Sequence, residues 1–362
     1  MDTVKPAVSP KNMCIFDAHC DTLTELKAGE RSLLDAPAHF NVSKQLSYRR
    51  YLQVTDIWVD SGRHDVDARV NKNIDEFYRQ LKLLNTVGAQ AAEPFEVAQI
   101  TDRCGLDAYF DVDGGRGKKR QAALLLAIEG GECIDADSRG PGADEGQYRF
   151  DRLHELFDRG VRLLTMTWNT PNAMCDTHLN AREPAGLTPF GRAAVAELNR
   201  LGIMIDLSHI SDQGFWDVLE LTRRPVVASH SDARAVCAVS RNLTDDMFRA
   251  LIKNGGVTGI NFCTSFLGGS KDIDRIIEHI EHFAGLGGVD HIGLGSDFDG
   301  IEELPGGIDG AESMYKIIDR LLRMGYTEGQ ARGIAADNFR RVFREVLPAG
   351  SEPGTAEKGV TK

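Results

Sequence analysis

The chain has 362 residues, of which 42% are hydrophobic and 27% charged, so it can bury a sizeable core and is not expected to be disordered. This length suits one large α/β barrel or two ordinary domains. The formal net charge of −12 argues against nucleic acid and anionic membranes as partners.

The amino-terminal residues 1–14 lack the apolar run of a signal peptide, and no later stretch approaches the roughly 20 apolar residues of a membrane helix. The seven cysteines are scattered, odd in number and without a CxxC pair, which favours reduced thiols over a disulfide framework. We therefore expect a soluble cytoplasmic protein that does not bind membranes.

Short apolar runs alternate with longer amphipathic segments along the chain. Such runs are typical of parallel strands that are covered on both faces. The predicted strands are residues 14–18, 54–59, 123–128, 161–167, 203–207, 226–229, 257–261 and 291–295. The predicted helices, most of them with capping residues at their ends, are 189–201, 211–221, 244–253, 271–286 and 327–347.

Strands interleaved with helices predict an α/β fold, a (β/α)8 TIM-type barrel of parallel strands. The alternative is a doubly wound open sheet, which the absence of a GxGxxG after the first strand disfavours. We predict a single barrel domain over residues 1–348 and a disordered tail over 349–362. Residues 88–122 are interpreted as an insertion or connecting segment. Their run at 111–119 resembles a calcium loop but lacks its terminal glutamate.

Polar residues follow several predicted strands, at the end where such barrels carry their active sites. His19 and Asp21 follow the first strand two positions apart, so both side chains project to the same side of an extended chain and can share one metal. The alternative is a capping aspartate beside a surface histidine. Glu129 ends a long apolar run, and a desolvated carboxylate there needs either a metal or an ion-pair partner.

Two histidines, His209 and His230, follow adjacent predicted strands at equivalent positions. Neighbouring strands are ~5 Å apart, so the two imidazoles should meet and bind metal. Asp206 and Ser208 are expected to support these ligands. Asp297, the first acid after the last strand, is placed to exchange a proton with a metal-activated water.

Two further positions bear on the site. Asp299 precedes Gly300 and is interpreted as a turn or cap residue. Arg241 lies just after the sixth predicted strand, where it can either clamp a substrate carboxylate or form a salt bridge at a helix entry.

The motifs together resemble the renal (membrane) dipeptidase family of metallopeptidases, which is related to the amidohydrolase superfamily. They occur in order from about residue 13 to about residue 345, nearly the whole predicted domain. The matching segments are FDAHCD, AIEGG, RLLTMTWN, GLTPFGRAAVAELNRLGIMIDLSH, VVASHS, SRNLTD, GGVTGINF, HIGLGSDFDG and ADNFRRVF.

The resemblance implies two divalent metal ions, with zinc as the expected metal, held by what we call the ligand cluster. This cluster consists of His19, Asp21, Glu129, His209 and His230. The first two would bind one ion, the two later histidines the other, and the glutamate both. The resemblance also implies that Asp297 handles the proton, that Arg241 receives the C-terminal carboxylate of a dipeptide, and that the protein is a homodimer.

One position departs from the family pattern. Trp168 stands where family members commonly have a histidine that is thought to contact the scissile carbonyl. An indole can donate one hydrogen bond but cannot ligate a metal or carry a positive charge, so we expect a substrate-binding role. The nearby His154 and His178 are interpreted as structural or surface residues.

The predicted function is hydrolysis of dipeptides, including those with a D-residue at the C-terminus, by metal-activated hydroxide. One alternative is another amidohydrolase reaction, such as opening a cyclic amide or lactone, with the same metals. A second is a non-catalytic metal-binding homologue, which only Trp168 favours.

Overall fold

The computed structural model describes residues 8–26, 32–60, 62, 65–111, 120–134, 148–180 and 185–350. Its strands are β1 (Cys14–Asp17), β2 (Arg50–Trp58), β3 (Phe95–Gln99), β4 (Arg120–Glu129), β5 (Val161–Thr165), β6 (Met204–Asp206), β7 (Val227–Ala228), β8 (Val257–Ile260) and β9 (Ile292–Leu294). Its helices are α1 (Thr22–Glu25), α2 (Val42–Gln45), α3 (Val66–Gln90), α4 (Arg103–Phe110), α5 (Asp151–Asp158), α6 (Pro189–Leu201), α7 (Asp212–Leu221), α8 (Asp245–Asn254), α9 (Thr264–Leu267), α10 (Ile273–Gly285), α11 (Met314–Arg323), α12 (Glu328–Arg332) and α13 (Asn338–Val346).

The strands close into a ring of parallel neighbours. β1 pairs with β2 on one side and with β9 on the other, and β2 pairs in turn with β4. From β4 the ring continues through β5, β6, β7 and β8 back to β9. All eight ring strands coincide with the predicted ones, which confirms the (β/α)8 barrel and excludes the open sheet.

The described part of residues 88–122 connects the ring strands β2 and β4, in agreement with its interpretation as an insertion or connecting segment, but it contains two elements that were not predicted. This part contains β3, which pairs with the start of β4 outside the ring, and α4, which Asp102 caps by accepting a hydrogen bond from the Gly105 amide at 2.8 Å. Phe95 and Val97 are buried while Glu96 is exposed, the alternation of a half-buried edge strand rather than a continuous apolar run. Residues 112–119, most of the calcium-like run, lie outside the described residues, as does most of the predicted tail.

The single helix predicted over 327–347 is interrupted. Between α12 and α13 the chain forms a π-helical segment, Gly333–Asp337. Immediately after it, the buried side-chain amide of Asn338 donates hydrogen bonds from Nδ2 to the Ile292 carbonyl at 2.7 Å and to the Val289 carbonyl at 3.0 Å. The π-helical turn therefore comes directly before the residue that fixes the helix to the start of β9. A π-helical turn often marks a place where a helix must adjust to its neighbours.

The end of the ring opposite the predicted site is closed by α13. Phe16 on β1 packs against Phe339 and Phe343, with ring centroids 5.6 and 4.9 Å apart. The first residues of β7 and β8, Val227 and Val257, belong to the same buried cluster. The carboxyl ends of the strands are thus left for a functional site. In the described ranges, no helix is both long and apolar enough to cross a membrane.

One buried histidine links two loops near that open end. His279 on α10 is fully buried, and its Nδ1 accepts a hydrogen bond from the Ala233 amide at 3.0 Å. Its Nε2 lies 3.0 Å from the Leu267 carbonyl, to which it donates. Burial lowers the pKa of this imidazole from 6.5 to about 4, so the neutral form holds both loops.

We expect His279 to make stability depend on pH. Because its folded pKa lies below the unfolded value, the unfolded chain takes up the proton first, and the contribution present above pH 6.5 is lost as pH falls toward 4. The stabilisation of wild type over His279→Gln should shrink by about 2 kcal/mol between pH 7 and pH 5. Urea unfolding at the two pH values measures this, and a difference that is constant with pH would contradict it.

Candidate active site

The ligand cluster lies together at the carboxyl ends of the ring strands. His19 and Asp21 follow β1, Glu129 is the last residue of β4, His209 follows β6, and His230 follows β7. Each of these five residues is buried, with at most 8% of its surface exposed. The ring brings together residues that are far apart in the chain, since parallel strands all end on one side of a barrel.

A single carboxylate oxygen lies at the centre of the cluster. Oε1 of Glu129 is 3.0 Å from His209 Nε2, 3.3 Å from His230 Nε2 and 3.7 Å from His19 Nε2. The Nε2 atoms of His209 and His230 are themselves 3.1 Å apart. One carboxylate facing three imidazole nitrogens is a donor set suited to cations bound on either side of it.

A second group of donors surrounds His19. Its Nε2 lies 3.3 Å from Asp21 Oδ2 and 3.8 Å from Asp297 Oδ1. The other oxygen of Asp21 is buried without a hydrogen-bond partner. A buried carboxylate oxygen needs a partner, and a divalent cation would provide one. The nitrogen and oxygen donors therefore fit a divalent metal.

Two of the histidines are oriented through their Nδ1 atoms. His19 Nδ1 lies 3.1 Å from Asp56 Oδ2 in an ion-pair contact, and His209 Nδ1 lies 2.9 Å from Asn169 Oδ1 in a hydrogen bond. A carboxylate or an acceptor at Nδ1 favours the proton on that nitrogen and leaves Nε2 free as a ligand. Neither partner was predicted from the sequence.

The third histidine, His230, is held by a hydroxyl. Its Nδ1 lies 2.6 Å from Ser229 Oγ, which in turn donates to Asp206 Oδ2 at 2.6 Å, so the hydroxyl accepts from the imidazole. Asp206 also accepts from the Ser208 and Ser229 amides and from Thr165 Oγ1. The structure thus places Asp206 and Ser208 behind the ligands, as predicted from the sequence.

Electrostatics differ across the cluster. Burial acts to lower the pKa of His19, but the carboxylates of Asp56, Glu129 and Asp21 raise it well above its ordinary value. Burial raises the pKa of Glu129 well above its usual range. The His19 side is therefore crowded with negative charge, which a bound cation would offset.

On the side of His209 and His230, the nearby charge is the positive charge of Arg241. Burial lowers the pKa of His209 and of His230 well below the ordinary histidine value, and the positive charge of Arg241 acts in the same direction. Both imidazoles are consequently neutral near pH 7, which is the form that binds metal.

Backbone strain is concentrated at this site. Among the described residues other than glycine, positive φ angles occur at His209 (67°), Asp297 (60°) and Asp299 (66°). Such conformations cost roughly 1–3 kcal/mol each and persist where surrounding structure imposes them. Asp299 anchors a neighbouring loop, because its carboxylate accepts hydrogen bonds from the backbone amides of His39 and Phe40 at 2.7 and 3.2 Å.

A cavity of about 260 Å³ opens onto the cluster. Its apolar lining comes from Trp58, Trp168, Phe266 and Ile301, and its polar lining includes Asp297 and members of the ligand cluster. The two indole rings meet edge to face with centroids 4.9 Å apart. The volume is below the roughly 300–1,000 Å³ of pockets for larger ligands, which favours a small substrate.

Arg241 lies next to the wall of this cavity, beside Phe266. It is 4% exposed, and its guanidinium donates from Nη1 to Ser231 Oγ at 2.6 Å and from Nη2 to the His230 carbonyl at 2.8 Å. Its Nε is buried without a hydrogen-bond partner. The guanidinium carbon lies 5.8 Å from the ring centroid of Phe266, which is one of the residues that line the cavity.

Sequence reasoning missed several residues of the site. Asn261 donates to Asp297 Oδ2 at 3.0 Å, and His178, interpreted as structural or surface, has its Nε2 3.1 Å from Asn169 Oδ1. A signal existed for Asp56, which is the one acidic residue of β2. His154 does lie at the surface, paired with Glu197.

A parallel barrel whose strand ends carry histidines around a shared carboxylate defines the class of metal-dependent hydrolases. This chain belongs to the membrane dipeptidase family, peptidase family M19, whose model matches residues 8–352. The predicted family is thereby confirmed. The protein is a metallo-dipeptidase, and its family uses divalent metal.

Solved structures agree with this assignment. Dipeptidase AC, a metallopeptidase of family M19, is 25% identical with a TM-score of 0.76 over 93% of this chain and 100% of that one. A metallopeptidase from Rhodobacter sphaeroides, liganded with a phosphinate mimic of the dipeptide L-Ala-D-Ala, is 25% identical with a TM-score of 0.73 over 92% and 99%. The probable dipeptidase PvdM from Pseudomonas aeruginosa is 18% identical with a TM-score of 0.71 over 92% and 96%, and shows the same fold.

Gly300 lets two carboxylates approach each other, and we expect Gly300→Ala to impair the site. A Cβ at this position would overlap Asp21 Oδ2 and Asp297 Oδ1. Displacing them should lower metal affinity and kcat/KM by roughly 10–100-fold, the usual effect of disturbing groups around a metal. Dipeptide kinetics and metal analysis measure this. Gly285→Ala, where nothing lies within 4 Å, is the matched control, and equal activity of the two variants would contradict the assignment.

Proposed function

We propose that the protein hydrolyses dipeptides with two divalent cations, zinc in both positions, bound at the ligand cluster. One position consists of His19 and Asp21, the other of His209 and His230, and Glu129 contributes to both. The observation that supports this most directly is the position of Glu129 Oε1, which lies within 3.0–3.7 Å of Nε2 of all three histidines.

When bound, the cations supply a polarised substrate carbonyl and a water of lowered pKa. The chain itself moves the proton. Asp297 is 9% exposed at the cavity, burial raises the pKa of its carboxyl group, and Asn261 holds its Oδ2. A carboxylate held in this way can accept a proton from the attacking water and return it to the leaving amine.

The remaining residues position the substrate. We propose that Arg241 receives the C-terminal carboxylate, because its guanidinium is positively charged and its buried Nε has no hydrogen-bond partner. Trp168, packed edge to face on Trp58, forms the apolar wall and offers an indole N–H to the substrate.

The proposed substrates are L-Xaa-D-Xaa dipeptides. The Rhodobacter sphaeroides relative, bound to a mimic of L-Ala-D-Ala, supports this choice, and the small cavity favours short peptides. We also propose a cytoplasmic homodimer. All seven cysteines are free thiols, in keeping with a reducing compartment, whereas the dimer follows from family resemblance alone.

Asp297→Asn should separate metal binding from catalysis. The isosteric amide cannot accept the proton, so we expect kcat to fall by roughly 10²–10⁴-fold even when the variant, loaded at saturating zinc, holds as much zinc as wild type. Steady-state dipeptide kinetics and elemental analysis of both purified proteins measure this. Equal rates would remove Asp297 from the mechanism, and a wild-type protein without stoichiometric divalent metal would contradict the proposed function.

Substrate stereochemistry is tested with matched dipeptide pairs. We expect higher kcat/KM for L-Ala-D-Ala than for L-Ala-L-Ala, and for other L,D members of a panel than for their L,L counterparts. Ninhydrin detection of released amino acids is sufficient. Strict L,L preference would contradict the proposed substrate class, and lactone hydrolysis without any dipeptide hydrolysis would favour the alternative amidohydrolase reaction.

A further inference from the structure

We infer that the two metal positions are unequal. The position of His19 and Asp21 binds its cation first and tightly, whereas that of His209 and His230 fills second and exchanges its cation readily. This inference rests on the two-metal site of the proposed function and adds an order of binding to it. Three features of the chain distinguish the positions.

The first feature is the distribution of carboxylates. Around His19 Nε2, oxygens of Asp21, Glu129 and Asp297 lie at 3.3, 3.7 and 3.8 Å. Nε2 of His209, by contrast, lies 3.0 Å from Oε1 of the shared Glu129 and 3.1 Å from His230 Nε2. Divalent cations bind more tightly where more anionic oxygens surround them, so the first position has the stronger attraction.

The second feature is the chemistry of the groups behind the imidazoles. His19 is backed by the fully buried carboxylate of Asp56, whereas His209 is backed by the amide of Asn169. A carboxylate partner makes an imidazole a more basic and stronger ligand than a neutral partner does. His230 likewise has a neutral partner, the Ser229 hydroxyl.

The third feature is a positive charge next to the second position. The guanidinium of Arg241 donates to the backbone carbonyl of His230 at 2.8 Å and is almost completely buried. In a buried site this charge is poorly screened, so it opposes the binding of a further cation nearby. At the first position, the carboxylates of Asp21 and Asp297 offset this repulsion.

The order of binding is tested by titrating the full-length, metal-stripped protein with Zn²⁺ in the presence of a competing chelator, followed by calorimetry. We expect two binding steps whose dissociation constants differ by at least about tenfold. Two ions of equal affinity would overturn the inference but leave the proposed function intact. Saturation at fewer than two ions would overturn the proposed function itself.

Charge-changing variants identify the position that each step reports. Asp56→Asn should weaken the tighter step by roughly 10–100-fold, and Asn169→Asp, which places a carboxylate behind His209, should strengthen the weaker step. Arg241→Met should tighten the weaker step by on the order of tenfold, whereas Arg241→Lys, which keeps the charge, should leave it unchanged. A merely structural role of Arg241 predicts weaker binding in Arg241→Met, and that result would overturn the inference.

Discussion

The convergence of three imidazoles on one oxygen of Glu129 is the contact on which the rest of the structure depends. Burying a carboxylate beside like-charged neighbours costs several kcal/mol unless opposite charge offsets it. His209 and His230 are neutral near pH 7, and His19, whose pKa is raised, also faces Asp21, Asp56 and Asp297, so the imidazoles alone cannot offset the carboxylates. The donor set therefore fits bound cations, and the barrel is the scaffold that holds these side chains together despite the cost.

The barrel provides that scaffold by closing tightly. Gly259 and Gly295 lie against the carbonyl of Ser229, where a side chain would overlap the backbone, so the strands that carry the site can approach closely. At the other end, Phe339 and Phe343 fill the ring around Phe16. Stability is concentrated at the closed end, while strained residues and crowded carboxylates are concentrated at the open one, as expected where function and stability compete.

The ring strands and the ligand cluster could be predicted from the sequence because parallel strands are continuous apolar runs and their first polar residue marks the functional end. The same reasoning failed for β3, whose alternating burial resembles a surface segment, and for the π-helical turn, which arises from the fit of Asn338 to β9. It also missed Asp56 and Asn169. Their roles depend on which imidazole each side chain meets across the ring, and sequence spacing does not specify that contact.

We propose that the cluster binds two cations on either side of Glu129. Crystals of the zinc-loaded protein measured on both sides of the zinc absorption edge test it most directly. We expect two anomalous peaks, one in contact with His19 and Asp21 and the other in contact with His209 and His230. Glu129 should contact both peaks. A single peak, or peaks that Glu129 does not contact, would contradict this proposal.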